Sequence, residues 1–245
     1  VRYFTPGHAV AALELPLKGR AVKIALSICE DLWPNGKDAY LKALGDARPD
    51  VIVNLSASPY EVRKPQTRLQ VLSAVSREAR AVVAYSNLVG GQDELVFDGR
   101  SLVVDPRGHA IAQAAAFAED WVCVDVPLAS GSKSKAGVRS FRHSSEKSSA
   151  RNSSKKFPDP KPGSPEDVLS ALELSLRDYV RKNGFSTVGV AMSGGIDSAL
   201  VAAIAVRALG KDRVVGVTLP SAVTSRATLQ DACAQARSLG IRFHR

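Results

Sequence analysis

Two short stretches carry residues whose types and spacing can do chemistry. In the first, Ser193-Gly194-Gly195-Ile196-Asp197-Ser198 separates a hydrophobic run from an alanine-rich one. Two glycines let the backbone turn tightly and bring its N–H groups close to a ligand. With the N-terminus of the next helix, those N–H groups make an anion site. Asp197, in the first helical turn, can hold Mg²⁺, and the Ser193 and Ser198 hydroxyls can donate to phosphate oxygens. No lysine comes after the second glycine, which excludes a Walker A loop. An ordinary Gly-Gly turn capped by Asp and Ser is the alternative; the full hexapeptide between strand and helix favours the phosphate site. In the second stretch, Cys29 ends an apolar run and opens Cys29-Glu-Asp-Leu-Trp33. A thiol at a strand-to-turn junction is exposed on one side and can attack a carbonyl, with the Glu30 backbone N–H helping to hold the oxyanion. The alternative is a buried structural thiol, commonest for a lone cysteine and assigned here to Cys123 and Cys233. None of the four histidines has a neighbouring context that suggests a base for Cys29, and zinc ligand pairs at suitable spacing are lacking.

These residues need elements to position them. Ala21–Ile28 and Val51–Leu55 are β-branched apolar runs of strand length, with a helical pattern from Gly36 to Leu44 between them. From Gln66 to Arg80, Leu69, Leu72, Val75 and Ala79 have the three-and-four spacing of one helix face. Further strands are expected at Ala81–Tyr85, Glu94–Phe97, Ser101–Val104 and Trp121–Asp125. The mixture indicates a layered α/β sandwich. The chain restarts at Ser164-Pro165-Glu166-Asp167, a capped helix start whose apolar stripe is Leu169, Leu172, Leu176, Tyr179 and Val180. A strand (Ser186–Ala191), a helix (Asp197–Leu209), a strand (Val214–Leu219) and a helix (Ser225–Leu239) come after it, the opening of a doubly wound parallel sheet.

Between these halves the composition changes. The 245 residues carry a formal charge of +9, and +7 of it lies between Ala129 and Pro165, with nine basic, two acidic and eleven serine residues. Such a stretch cannot bury enough surface to offset its ordering entropy, so a disordered linker is expected. A nucleic-acid-binding arm competes with it, but aromatic residues for base stacking are sparse there. Apolar runs long enough to span a bilayer are absent from the sequence. Three cysteines without regular spacing suit a reducing compartment rather than a disulfide framework. Val1 at the start, Met192 as the single methionine and a strand opening just before Arg245 suggest a chain cut at both ends.

The hexapeptide resembles the pyrophosphate-binding loop of the N-type ATP pyrophosphatases, which adenylate a carbonyl oxygen and release pyrophosphate. Cys29-Glu-Asp-Leu-Trp33 resembles the nucleophile motif of the nitrilase (carbon-nitrogen hydrolase) superfamily. Asn54-Leu-Ser-Ala-Ser-Pro-Tyr60 with Lys64, Asn87–Gly99 and the turn Asp105-Pro-Arg-Gly108 are similar to the glutaminase domain of the glutamine-dependent NAD synthetases, a match running across most of residues 20–128. The resemblance implies residues 1–128 as the C-terminal part of a nitrilase-like glutaminase domain. Residues 129–163 are then the linker, and 164–245 the N-terminal part of a synthetase domain of ATP pyrophosphatase type.

It further implies ATP-dependent amidation of deamido-NAD to NAD with nitrogen from glutamine, giving AMP, pyrophosphate and glutamate. Cys29 would be the glutaminase nucleophile, with Ser58 and Lys64 at the glutamine. Ala191, Met192, Ser193, Gly194, Gly195, Ile196, Asp197 and Ser198 would bind ATP, with Asp197 on Mg²⁺. A cytoplasmic homo-oligomer is expected. Nitrilase-type catalysis also uses a glutamate base and a lysine far upstream of the cysteine. Glu14 and Lys18 lie too near Cys29 for those roles, so the 245 residues alone are expected to be inactive. Many members carry Arg-Tyr or Arg-Phe after Pro-Ser where this chain has Ala222-Val223, so no contacts are assigned to that loop. Two other readings remain: an amidase with a vestigial ATP domain, and an RNA-modifying ATP enzyme using the basic linker.

Overall fold

The computed structural model describes residues 9–17, 20–34, 38–126, 159–220 and 225–245. Lys18, Gly36, most of the expected linker and the 221–224 loop lie outside them. The chain divides into two compact units, Val1–Val89 with Phe97–Gly163, and Gly90–Val96 with Ser164–Arg245.

The first unit is built on β1 (Ala11–Leu17), β2 (Arg20–Ile28), α1 (Asp38–Asp46), β3 (Val51–Ser56), α2 (Lys64–Ala79) and β4 (Val82–Asn87). A ribbon, β5 (Val89–Gln92) and β6 (Leu95–Asp98), comes next in the chain, its residues Gly90–Val96 belonging to the second unit, then β7 (Leu102–Val104) and β8 (Ala110–Gln113). Six strands form one sheet in the order β1-β2-β3-β4-β7-β8. The pairs β2–β3 and β3–β4 are parallel, each joined through a helix, and the flanking pairs are antiparallel. Side chains alternate across the sheet. Ala25, Ile52, Val83 and Val104, each wholly buried, face Leu44 of α1 and Leu72 of α2. Leu26, Ile28 and Leu55 are exposed, at 39, 69 and 60%.

In α2 the expected face is buried at Leu72 and Val75, with Ala79 packed against the core, and it departs at one position. Leu69 is 36% exposed, and Arg68 takes the inward place with Leu72 and Val75. Arg68 goes inside because Asp98 waits there, its carboxylate 3.0 Å from Arg68 Nη2 and 3.2 Å from Arg100 Nη1. Trp121–Asp125 has the alternation of a strand but lies in no sheet; without a partner strand among the described residues, Trp121 stays 71% exposed. Cys123, expected to be a buried thiol, is exposed for the same reason, whereas Cys233 is buried in a helix as expected.

The second unit contains α3 (Pro165–Lys182), β9 (Val188–Ala191), α4 (Ile196–Leu209), β10 (Val214–Val217), α5 (Arg226–Leu239) and β11 (Arg242–His244). Its sheet is parallel, ordered β11-β10-β9. Ser164 caps α3 by accepting the Asp167 N–H, as its sequence predicts. Alanines 202, 205, 232 and 236 let α4 and α5 lie close to Val190, Met192 and Val214. The face of α3 that is buried carries Ala171, Leu174, Asp178 and, from the expected stripe, Val180, while Leu172 and Tyr179 of that stripe are 47 and 49% exposed. The 90–96 turn, assigned by sequence to the first domain, explains the rotation. Gly91 sits against the Ser175 backbone, and its N–H donates to Asp178 Oδ2 at 2.9 Å.

Removing one partner of a buried ion cluster leaves uncompensated charge, at about 3–5 kcal/mol, whereas exposed pairs are worth about 0–1 kcal/mol. Asp98→Ala should therefore destabilise the first unit by about 3–5 kcal/mol and Glu61→Ala by less than about 1 kcal/mol. Both tryptophans, Trp33 and Trp121, belong to that unit, so urea unfolding monitored by tryptophan fluorescence reads it selectively.

Candidate functional site

The parallel register brings the carboxyl ends of three strands together: Ile28 of β2 lies opposite Leu55 of β3, and Ser56 of β3 opposite Asn87 of β4. Ligands of parallel sheets bind at such ends. Cys29 is the residue directly after β2 and the first of a 3₁₀ turn, Cys29–Leu32. Its φ is +46°, in the left-handed region that a non-glycine residue enters only where surroundings hold it. Two side chains hold this corner. Asp31 Oδ2 accepts the Ile28 N–H at 2.8 Å. Asn54 Nδ2 donates to Ser27 Oγ at 3.0 Å and to the Cys29 carbonyl at 3.4 Å. Cys29 itself is half-buried. Among the described residues no histidine, lysine or carboxylate makes a hydrogen bond to its thiol.

Ser58 and Lys64 stand on the segment after β3. Lys64, the first residue of α2, places Nζ 5.1 Å from the centre of the Trp33 ring and 3.2 Å from Glu61 Oε1, which ties it to the Cys29–Trp33 motif. Ser58 is buried and held through its backbone, its N–H donating to Asn87 Oδ1 at 2.9 Å. Tyr85, which interacts with both Ser58 and Cys29, is buried, with Arg68 at 5.5 Å from its ring. Burial pushes its phenol up; the Arg68 guanidinium and hydrogen bonds with Ser56 and Ser58 oppose this, and Cys29 adds to the rise. Tyr85 thus remains a protonated donor at neutral pH. In the sequence Asn54 and Asn87 open two of the stretches that carry the resemblance but have no role assigned to them, and Tyr85 is read only as a strand residue. A signal exists, since all three fall in the polar last part of an otherwise β-branched run, near the end that carries the chemistry.

In the second unit the loop 193–195 joins β9 to α4. Gly194 has φ +86°, and a Cβ there would collide with the Thr228 carbonyl oxygen of α5. Gln235, also on α5, donates to the Gly194 carbonyl at 3.0 Å. Ser198 Oγ accepts the Ser193 N–H and Ser193 Oγ the Gly195 N–H, both at 3.2 Å, so the hydroxyls brace the turn. The first turn of α4 directs the N–H groups of Ile196, Asp197 and Ser198 outward, where no intrahelical acceptor exists. Ala191 and Ser193 line a cavity of about 460 Å³ together with Thr218, Leu219, Ser225 and Thr228. Met192 is buried and its N–H bonds the Val217 carbonyl, leaving it a structural part of that wall. Asp197 is exposed, and among the described residues no cluster of three His, Cys, Asp or Glu surrounds it. A lone carboxylate that leaves the remaining positions to phosphate oxygens and water is a donor set suited to Mg²⁺.

A family model for carbon-nitrogen hydrolases matches residues 1–136. The chain belongs to that family. An NAD synthase family model matches residues 168–245. Over 99% of its length the chain is 42% identical to a glutamine-dependent NAD(+) synthetase of Aquifex aeolicus, spanning 44% of that protein. With its counterpart from Thermotoga maritima it shares 40% identity over 98% of its length, spanning 43% of that protein. Among solved structures, glutamine-dependent NAD+ synthetase from Acinetobacter baumannii in complex with ADP matches 99% of the chain at 35% identity, with TM-score 0.78, and the match takes in 41% of that chain. The carbon-nitrogen hydrolase chain thus spans under half the length of these relatives.

The two glycines of the loop differ in what they tolerate. Gly195, at φ −79°, would bring its Cβ no nearer than 3.4 Å to Ser193 Oγ. Gly194→Ala is therefore expected to destabilise the second unit by at least about 1 kcal/mol, and Gly195→Ala by less, in urea unfolding monitored by circular dichroism.

Proposed function

We propose that the natural protein containing this chain amidates deamido-NAD to NAD, consuming ATP and taking the nitrogen from glutamine. The observation that carries this reading is the coexistence on one chain of a cysteine held at the carboxyl end of a parallel strand and a glycine loop at the carboxyl end of another. The similarity to glutamine-dependent NAD synthetases along 99% of the chain supports it. In the glutaminase reaction Cys29 Sγ attacks the glutamine side-chain amide carbon, and the backbone N–H of Glu30 helps hold the oxyanion. Ammonia leaves, and water hydrolyses the thioester to glutamate. Ser58 and Lys64 suit the carboxylate and amine ends of the bound amino acid. The proton-transferring glutamate and the lysine of this chemistry come from elsewhere in the natural protein.

In the synthetase reaction the nicotinate carboxylate of deamido-NAD attacks the α-phosphorus of ATP and displaces pyrophosphate. Ammonia then attacks the acyl carbon and AMP leaves. Residues 191–198 bind the nucleotide, the outward N–H groups of α4 facing its phosphates. A Mg²⁺ on Asp197 would neutralise phosphate charge. Adenylation is needed because a carboxylate is a poor acceptor until it carries a leaving group. A nucleophilic thiol must stay reduced, which fits a cytoplasmic enzyme, and a homo-oligomer is part of the proposal.

Two variants separate the half-reactions. Cys29→Ala should abolish glutamine-dependent NAD formation and retain the ammonia-dependent rate. Asp197→Ala should lower both about a hundredfold, as expected for losing a charge-neutralising ligand. NAD and AMP are quantified by mass spectrometry. Glutamine-dependent synthesis by Cys29→Ala would contradict the assignment.

A further inference from the structure

Asn87 is buried, contributes no reactive group and has no part in the mechanism above, yet its amide is fully engaged. Oδ1 accepts the Ser58 N–H at 2.9 Å and a longer bond from the Tyr85 hydroxyl at 3.4 Å. Nδ2 faces three acceptors: the Gly99 carbonyl at 3.1 Å, Asp98 Oδ1 at 3.3 Å and the Ser58 carbonyl at 3.5 Å. This division fixes which way the amide points, since turning it over would set Nδ2 against the Ser58 N–H and Oδ1 against three acceptors. Asp98 is in turn locked by Arg68 and Arg100, with side-chain exposures of 0, 1 and 3%. The Asn87 backbone N–H donates to Ser101 Oγ at 3.0 Å. A rigid core thus ends in one amide, and that amide grips both polar backbone groups of Ser58.

We infer that Asn87 is a positioning residue for the glutamine site, holding Ser58 in place on behalf of the buried Arg68–Asp98–Arg100 cluster. This inference rests on the glutaminase reading of Cys29 and Ser58. Ser58 lies between Ala57 and Pro59 in a segment outside any helix or strand. Its N–H and carbonyl, bonded to Asn87, give a small hydroxyl the fixed origin that recognition of an amino acid requires. The ATP-dependent step shares no residue with this network.

The test compares wild type, Asn87→Ala and Cys29→Ala in the full natural protein, each assayed for NAD formation with glutamine and, separately, with ammonium chloride. Asn87→Ala is expected to raise the KM for glutamine about tenfold or more, with a smaller change in kcat, and to leave the ammonia-dependent reaction as in wild type. Asn87→Ser keeps a polar hydroxyl at this position and adds no charge beside Asp98. It should show the same split, and it serves where the alanine variant is insoluble. An unchanged glutamine KM would overturn the inference, as would an equal loss with both nitrogen donors, which marks a structural role alone. Glutamine-dependent activity surviving in Cys29→Ala identifies instead a failure of the glutaminase reading.

Discussion

The parallel register of β2, β3 and β4 is the constraint on which the first unit's chemistry depends. With Ile28 opposite Leu55 and Ser56 opposite Asn87, the three strands finish at one level, and the turns that leave them meet at one end of the sheet. A slip of one residue would turn Ala25, Ile52 and Val83 out of the core. It would also carry Asn54 away from the Cys29 carbonyl and Asn87 away from Ser58. The helix-covered core and the polar network at the strand ends therefore specify the same alignment. That agreement lets Cys29 sit in a backbone conformation that a cysteine does not choose unaided.

The second unit uses the same device. Its strands β9 and β10 also run parallel, and the turn after β9 is pressed against α5 so closely that residue 194 must be glycine. In both units a side chain from a neighbouring element holds a backbone group of the reactive turn: Asn54 the Cys29 carbonyl, Gln235 the Gly194 carbonyl. Rigid loops at strand ends suit chemistry that needs fixed donors, whether toward an oxyanion or toward phosphates.

Much of this is legible in the amino-acid sequence. Runs such as Val51–Leu55 and the capped start at Ser164 carry strong local signals, and the two chemical motifs are contiguous. The features that were not legible depend on partners distant in sequence. Arg68 reads as solvent-facing until Asp98, thirty residues on, is known to lie beneath it. The turn of α3 toward Asp178 depends on Gly91, and β5 is hidden by glycines that have no strand propensity. Trp121–Asp125 errs the other way: alternation alone makes a strand only where a neighbour supplies hydrogen bonds. Asn87 belongs with Arg68, a polar residue whose purpose is set by the groups that the fold brings to it.

The central claim is that nitrogen released at Cys29 becomes the amide of NAD. The most direct measurement traces that atom: the full natural protein is given deamido-NAD, Mg-ATP and glutamine labelled with ¹⁵N at the side-chain amide, in buffer containing unlabelled ammonium. The mass of the NAD formed is then read. The account predicts NAD one mass unit heavier, with the label lost in Cys29→Ala, where only unlabelled ammonium can supply nitrogen. Unlabelled NAD from the wild-type protein, or a label that persists without Cys29, would contradict it.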